Sequence, residues 1–310
     1  VVMTISLITF TRTRHHMGPI GLSPLKSALG RNWVWQDIAV YAGGLLAIPA
    51  IMIMVANTVY TDYFMYLIGP FSLIYLGYEM SKGTGAEAKK LIAALFFIFF
   101  SIVFWAIFEQ AGGSLSLYAA NHLSDELLGM IHLDPNGVNN SANSAFVIAF
   151  AAIAGTIWVW LAKRGMEPNT VVKFGIGFLF LGAGYMLFFT GRFFADANGV
   201  SSLDMFTFAY FAVTLGELCL SPIGLSIMTK LAPDRLQGFM MGMWFLASAY
   251  GQYVAGLFGA SISPDPAATP VEKLNIYTQG YYDFAWYAVL AGVILILISP
   301  LIRKLMQEVK

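Results

Sequence analysis

The stretch Gly216–Gly256, GELCLSPIGLSIMTKLAPDRLQGFMMGMWFLASAYGQYVAG, reads as two apolar segments joined by a short charged turn, Leu231-Ala-Pro-Asp-Arg-Leu-Gln237. The first segment carries a carboxylate, Glu217, roughly midway between the polar positions Asp204 and Lys230. An ionisable group at that depth in a bilayer costs about 3 kcal/mol or more, so by default it marks a functional pathway. Ser221 follows one turn on, on the same helix face, and Pro222 denies a hydrogen bond to the Leu218 carbonyl. The expectation is a broken or kinked helix presenting a carboxylate, an arrangement from which membrane proteins build solute sites. The second segment carries its own i, i+4 pair, Trp244 and Ser248, an aromatic wall and a hydroxyl.

The composition fits that reading. Of 310 residues, 58% are hydrophobic and only 11% charged, with a mean hydropathy of +0.70. Soluble domains carry about 25% charged residues, so this is a membrane protein. The formal net charge of zero gives no reason to propose a nucleic-acid partner. A single cysteine, Cys219, excludes an internal disulfide and a cysteine metal cluster, and reads as a small packing residue.

Eight full spans are expected, at about 34–56, 63–80, 91–119, 144–162, 171–189, 203–229, 239–261 and 282–301. The opening VVMTISLITF is too short to span and reads as the end of a further helix, with the chain a fragment of a longer protein. Arg12, Arg14, Lys26, Arg31, Lys82, Lys89, Lys90, Lys163, Arg164, Lys173, Lys230, Arg235, Arg303, Lys304 and Lys310 fall on one side when the spans alternate, against Arg192 and Lys273 on the other. The rich side is cytoplasmic by the positive-inside rule, which puts the C-terminus inside. Tyr60, Tyr63, Tyr277, Tyr281, Tyr282 and Trp286 read as outer interfacial aromatics, and Trp33 and Trp35 as inner ones. The segments 122–143 and 264–279 read as turn-rich outer loops, the first containing Asn139-Asn140-Ser141, a glycosylation-acceptor pattern short enough to arise by coincidence.

Two acids lie well inside the expected spans, Glu109 and Glu217. Glu109 is nineteen residues past Lys90, about 28 Å along a helix axis, with Trp105 one turn before it. Each acid reads either as functional or as a protonated carboxylic acid packed between helices. Gln110 reads as a brace to a neighbouring helix, and Gly238-x-x-x-Gly242, Gly182, Gly184, Gly251 and Gly256 as sites of close helix approach.

In their order and spacing, Gly216-Glu217-Leu218, Ser221-Pro222, Leu231-Ala232-Pro233 and Met241-Gly242-Met243-Trp244-Phe245-Leu246 closely resemble the proton-dependent oligopeptide transporter (POT/PTR) family, bacterial type, of the major facilitator superfamily. The resemblance implies an all-α polytopic fold: a truncated end of the sixth helix at 1–17, a linker with two extra inter-bundle helices at 18–88, and the C-terminal six-helix bundle at 89–310. It implies proton-coupled uptake of di- and tripeptides across the inner membrane by alternating access, the first six-helix bundle being absent from this chain. The Trp-x-x-x-acid-Gln pattern makes Glu109 the proton-coupling acid, facing basic residues of the absent half. Glu217 takes the amino terminus of the peptide. Asn143 aligns with an asparagine contacting that same end, although Ser144 stands where the family has proline, and Asn143 reads equally as a helix N-cap. Trp105, Trp244 and Ser248 are implied pocket residues and Ser221 a weaker one. The Leu231–Gln237 turn resembles a cytoplasmic gating hairpin. Protons are the coupling ion, with no other cofactor.

Two other readings stay open: a relative carrying another amino-bearing solute, and a membrane sensor that transports nothing. An intramembrane enzyme is disfavoured. His15, His16, His122 and His132 all lie outside expected spans, and neither a zinc-protease histidine pair nor a Gly-x-Ser-x-Gly elbow occurs.

Overall fold

In the computed structural model of the chain, the residues described are 2–18 and 35–307. The basic residues Lys26, Arg31 and Lys310 and the interfacial Trp33 lie outside them. The described residues form helices α1 (Val2–Thr13), α2 (Trp35–Ala56), α3 (Thr58–Lys82), α4 (Gly85–Phe108), α5 (Ser114–His122), α6 (Pro135–Lys163), α7 (Thr170–Thr190), α8 (Leu203–Leu231), α9 (Gln237–Ser261) and α10 (Pro270–Met306), with a two-residue hairpin of β1 (Glu126–Leu127) and β2 (Ile131–His132). Among the described residues, each expected span is α-helical except 91–119, which is divided in two. Six stretches among the described residues are long and apolar enough to cross a membrane, while α3 and α9 match them in length with more tyrosine, glycine and serine. Pro49, Pro70, Pro222 and Pro300 sit inside α2, α3, α8 and α10 without interrupting them.

The chain divides into two units, residues 1–68 and 69–310. In the first, α1 and α2 present exposed apolar surface such as Ile5, Leu45 and Ile53. The second unit carries the core. There α7 packs on both α8 and α10, α4 packs on α9, and α6 on α8. Phe97, Phe104, Phe174, Phe178, Tyr185, Phe188 and Tyr281 fill the space between them. The α7 seams depend on missing side chains: a Cβ at Gly177 would lie 2.9 Å from the Gly216 carbonyl, and one at Gly292 would lie 2.8 Å from that of Gly175. Gly182, Gly184 and Gly251 also sit at close approaches. Gly238, Gly242 and Gly256 do not, because the space over each is open.

Four helices, α3, α4, α6 and α10, begin earlier than hydropathy indicates, the last two by the most. Asp134 caps α6 by accepting from Gly137 N at 2.7 Å, with Pro135 in the first turn, so Asp-Pro-Asn-Gly opens a helix rather than a turn. Asn143 is therefore well inside α6 and is no N-cap. Thr269 and Glu272 form a capping box that starts α10 at Pro270. That longer helix carries Tyr277 and Tyr281 inward, where both are buried against Tyr118 instead of lying at the interface.

Candidate functional site: two carboxylates around a helix break

The break expected at Pro222 occurs instead at Glu109. Helix α4 ends at Phe108, Glu109–Gly112 form a single 3-10 turn, and α5 restarts at Ser114. Gly112 and Gly113 weaken helix at this point, and the polar side chains described next hold the division open. A divided helix leaves carbonyls without partners, and in an apolar setting each must find one. Tyr185 of α7 donates to the Ile107 carbonyl at 2.5 Å. Asn139 of α6 donates to that of Ala111 at 2.9 Å and accepts from the Tyr210 hydroxyl of α8 at 2.6 Å. Gln110 donates to Ala106 at 3.2 Å and to Ala255 of α9 at 3.0 Å, and accepts from Ser114 at 2.8 Å. Gln110 is thus the expected interhelical brace. Asn139 is buried within a helix, which rules out its reading as a glycosylation acceptor.

Around this frame the structure gathers the acids. Asn143 donates its amide to Glu217 Oε2 at 2.8 Å and to the Thr214 hydroxyl at 3.2 Å. Thr214 in turn donates to the Tyr210 carbonyl at 2.7 Å. Gln252 of α9 approaches Glu109 Oε1 at 3.5 Å. Glu109 and Glu217 are each half-buried and lie within electrostatic reach of one another. Two carboxylates held this way offer one acceptor for a proton and one for a cationic head group.

The remaining candidates divide. Trp105 lies on the face leading to Glu109, its Cβ against Gly251, and its buried Nε1 has no hydrogen-bond partner among the described residues. The Ser221 hydroxyl is likewise buried without one, a turn beyond Glu217 in an uninterrupted helix. Trp244 is 4% exposed. Its ring covers Gly224, where a Cβ would meet it at 2.0 Å, and it packs edge-on against Phe174. It is core rather than open wall. Ser248, one turn on, is half-buried. Beyond α8, the Leu231–Gln237 turn is tied down by Arg235, which pairs with Glu87 at 2.9 Å and Glu79 at 3.6 Å.

Sequence reasoning missed Asn139, Tyr185 and Tyr210. The available signal was Glu109-Gln110 together with Gly112-Gly113 inside an otherwise apolar run; a glycine pair alone is not enough, because Gly43-Gly44 leaves α2 unbroken.

A bundle of helices long and apolar enough to cross a membrane, holding two half-buried carboxylates, defines a polytopic membrane protein. The chain belongs to the POT family, whose family model matches residues 1–270. It is 32% identical over 280 residues to "Peptide transporter YePEPT" of Yersinia enterocolitica subsp. palearctica, covering 87% of this chain and 51% of that relative. It is 29% identical over 247 residues to "Di-/tripeptide transporter" of Lactococcus lactis subsp. cremoris, covering 79% and 47%. Among solved structures, a peptide transporter POT in complex with alafosfalin superposes with a TM-score of 0.67 at 29% identity, covering 98% of this chain and 60% of that one. The chain thus spans about half to three-fifths of the length of these relatives.

Proposed function

We propose that the chain supplies the C-terminal part of a proton-coupled transporter that takes up di- and tripeptides across the cytoplasmic membrane, with its C-terminus inside. Residues 89–310 act as the transport bundle, and 18–88 as the linker with an inserted helix pair. The remaining length of a family member furnishes the opposite wall of the site, including basic partners for Glu109. The observation that carries this reading is the 2.8 Å bond from Asn143 to Glu217, which holds a half-buried carboxylate within electrostatic reach of Glu109. Glu217 receives the ammonium of the peptide through a charge-assisted hydrogen bond, and Asn143 orients it. Glu109 takes up and releases the coupling proton at the joint between α4 and α5, assisted by Gln252. No other cofactor enters the cycle. Ser221, Trp105 and Ser248 line the approach, and Trp244 supports it from the core. Alternating access follows from rocking of this bundle against the opposite one.

The experiment is dialanine uptake into proteoliposomes of the complete transporter under an imposed inward proton gradient. Gradient-driven accumulation is expected. Uptake that ignores dialanine, or ignores the gradient, overturns the assignment.

A further inference from the structure

One cleft of the second unit lies on the face that carries the basic residues. It has a volume of about 910 Å³ and is lined by Lys173, Lys230, Arg303 and Glu167, with Pro222, Ile223, Ile227 and Met306 as apolar floor. A second cleft of about 430 Å³ shares Asn169 and Arg303 with it and adds Lys304. Three cations against one carboxylate leave the main cleft with two formal positive charges. Lys173 is 9% exposed, pairs with Glu167 and lies over the Trp158 ring at 4.8 Å. Lys230 and Arg303 have no ion-pair partner among the described residues. Asn169 caps α7 by accepting from Val172 N and also accepts from the Ser299 hydroxyl of α10 at 3.0 Å, so the rim is built and not frayed. The N-terminus of α7, the positive end of its dipole, opens onto the same space.

The geometry points to a binding site for a phosphate-bearing anion in this cleft. Two cations with no ion-pair partner among the described residues, a nearly buried lysine and a helix N-terminus suit a phosphate with one to two negative charges, and the apolar floor suits a hydrocarbon attached to it. Arg164 stacks on Trp160 at 4.0 Å beside the cleft, an arrangement typical of the headgroup level of a bilayer. The phosphate can therefore arrive on an anionic lipid or on a soluble metabolite. This site does not rest on the peptide reading: among the described residues, the hydrogen bonds of Glu109, Glu217 and Asn143 go to Gln252, Thr214 and one another, and not to the residues lining this cleft.

The test uses the full chain purified in detergent and reads retained lipid by native mass spectrometry, with phosphatidylglycerol or cardiolipin offered against phosphatidylcholine. A parallel arm titrates inorganic pyrophosphate by calorimetry. A cation near an anionic lipid surface is worth roughly a fivefold change in affinity, so Lys230→Gln with Arg303→Gln is expected to weaken binding by about 30-fold. Lys89→Gln with Arg14→Gln removes the same charge outside the cleft and is expected to leave binding unchanged. Cleft-dependent retention of the anionic lipid assigns the phosphate to a headgroup. Cleft-dependent binding of pyrophosphate alone assigns it to a soluble anion. Equal effects of the two pairs, or none, overturn the site. A phosphatidylcholine signal as strong as that of the anionic lipids, with no cleft-dependent binding of pyrophosphate, does the same.

Discussion

The Asn143 amide of α6 donates to Glu217 Oε2 of α8 at 2.8 Å, two residues whose separation in the chain is seventy-four positions. The same amide reaches Thr214 at 3.2 Å, so α6 is tied to α8 at two points a single turn apart. If Glu217 receives a charged amino group, Asn143 fixes which way the carboxylate faces. A hydrogen bond to a charged group contributes about 1.5–3 kcal/mol. Asn143→Ala in the complete transporter is therefore expected to raise the KM for dialanine about tenfold or more, with a smaller change in maximal rate. Kinetics in proteoliposomes would settle it, and an unchanged KM would remove Asn143 from the site.

Glu109→Gln keeps the shape of the side chain and removes its ability to ionise. Uptake driven by a proton gradient is expected to vanish, while exchange of labelled for unlabelled dialanine without a gradient persists. Loss of both activities would point to a structural acid. Retention of both would end the coupling role.

Gln110 is fully inside the protein and makes three hydrogen bonds, one of them to Ala255 across the α4–α9 contact. Gln110→Leu leaves the Ala255 carbonyl and the Ser114 hydroxyl without that partner. The cost is about 1–3 kcal/mol, which lowers the Tm by roughly 2–4 °C per kcal/mol in a unit of this size. Thermal unfolding in detergent measures it. Ser248→Ala, lacking such a network, is expected to stay within about 0.5 kcal/mol of the parent.

Gly224 and Gly238 make opposite predictions from the same residue type. A Cβ at Gly224 would sit 2.0 Å from the buried Trp244 ring, whereas nothing lies within 4 Å of one at Gly238. Gly224→Ala forces the indole to move and is expected to destabilise by about 1–3 kcal/mol. Gly238→Ala is expected to be neutral or to stabilise by up to about 1 kcal/mol, because alanine favours helix. Equal Tm shifts for the two would refute the packing assigned to Trp244.

Much of the fold was legible because apolar runs of bilayer length are hard to mistake. Helix starts were less so. Hydropathy alone places the beginning of α10 near Tyr282, while the Thr269 capping box begins it at Pro270. The polar turn in between is soluble-looking sequence folded as helix, and only the cap chemistry reveals that. The acids Glu109 and Glu217 stood out because charge at depth is rare. Asn139, Tyr185 and Tyr210 did not, since their polar atoms matter only where a distant helix has lost its own hydrogen bonds. Pro222 misled because one missing donor leaves α8 continuous. Since Gly43-Gly44 leaves α2 unbroken, glycines alone do not account for the span divided at Glu109.

The division of that span makes α5 a short lever with its fulcrum at an acid. Nine residues of helix extend about 13 Å beyond the joint, so a tilt of roughly 20° there would carry the far tip through about 5 Å. The tip ends at His122, whose carbonyl accepts from Ser201 N at 2.7 Å in the loop leading into α8. If Glu109 gains or loses a charge in the proposed cycle, the change falls at this joint, and a tilt there would reach the loops at the far end of the bundle as displacement.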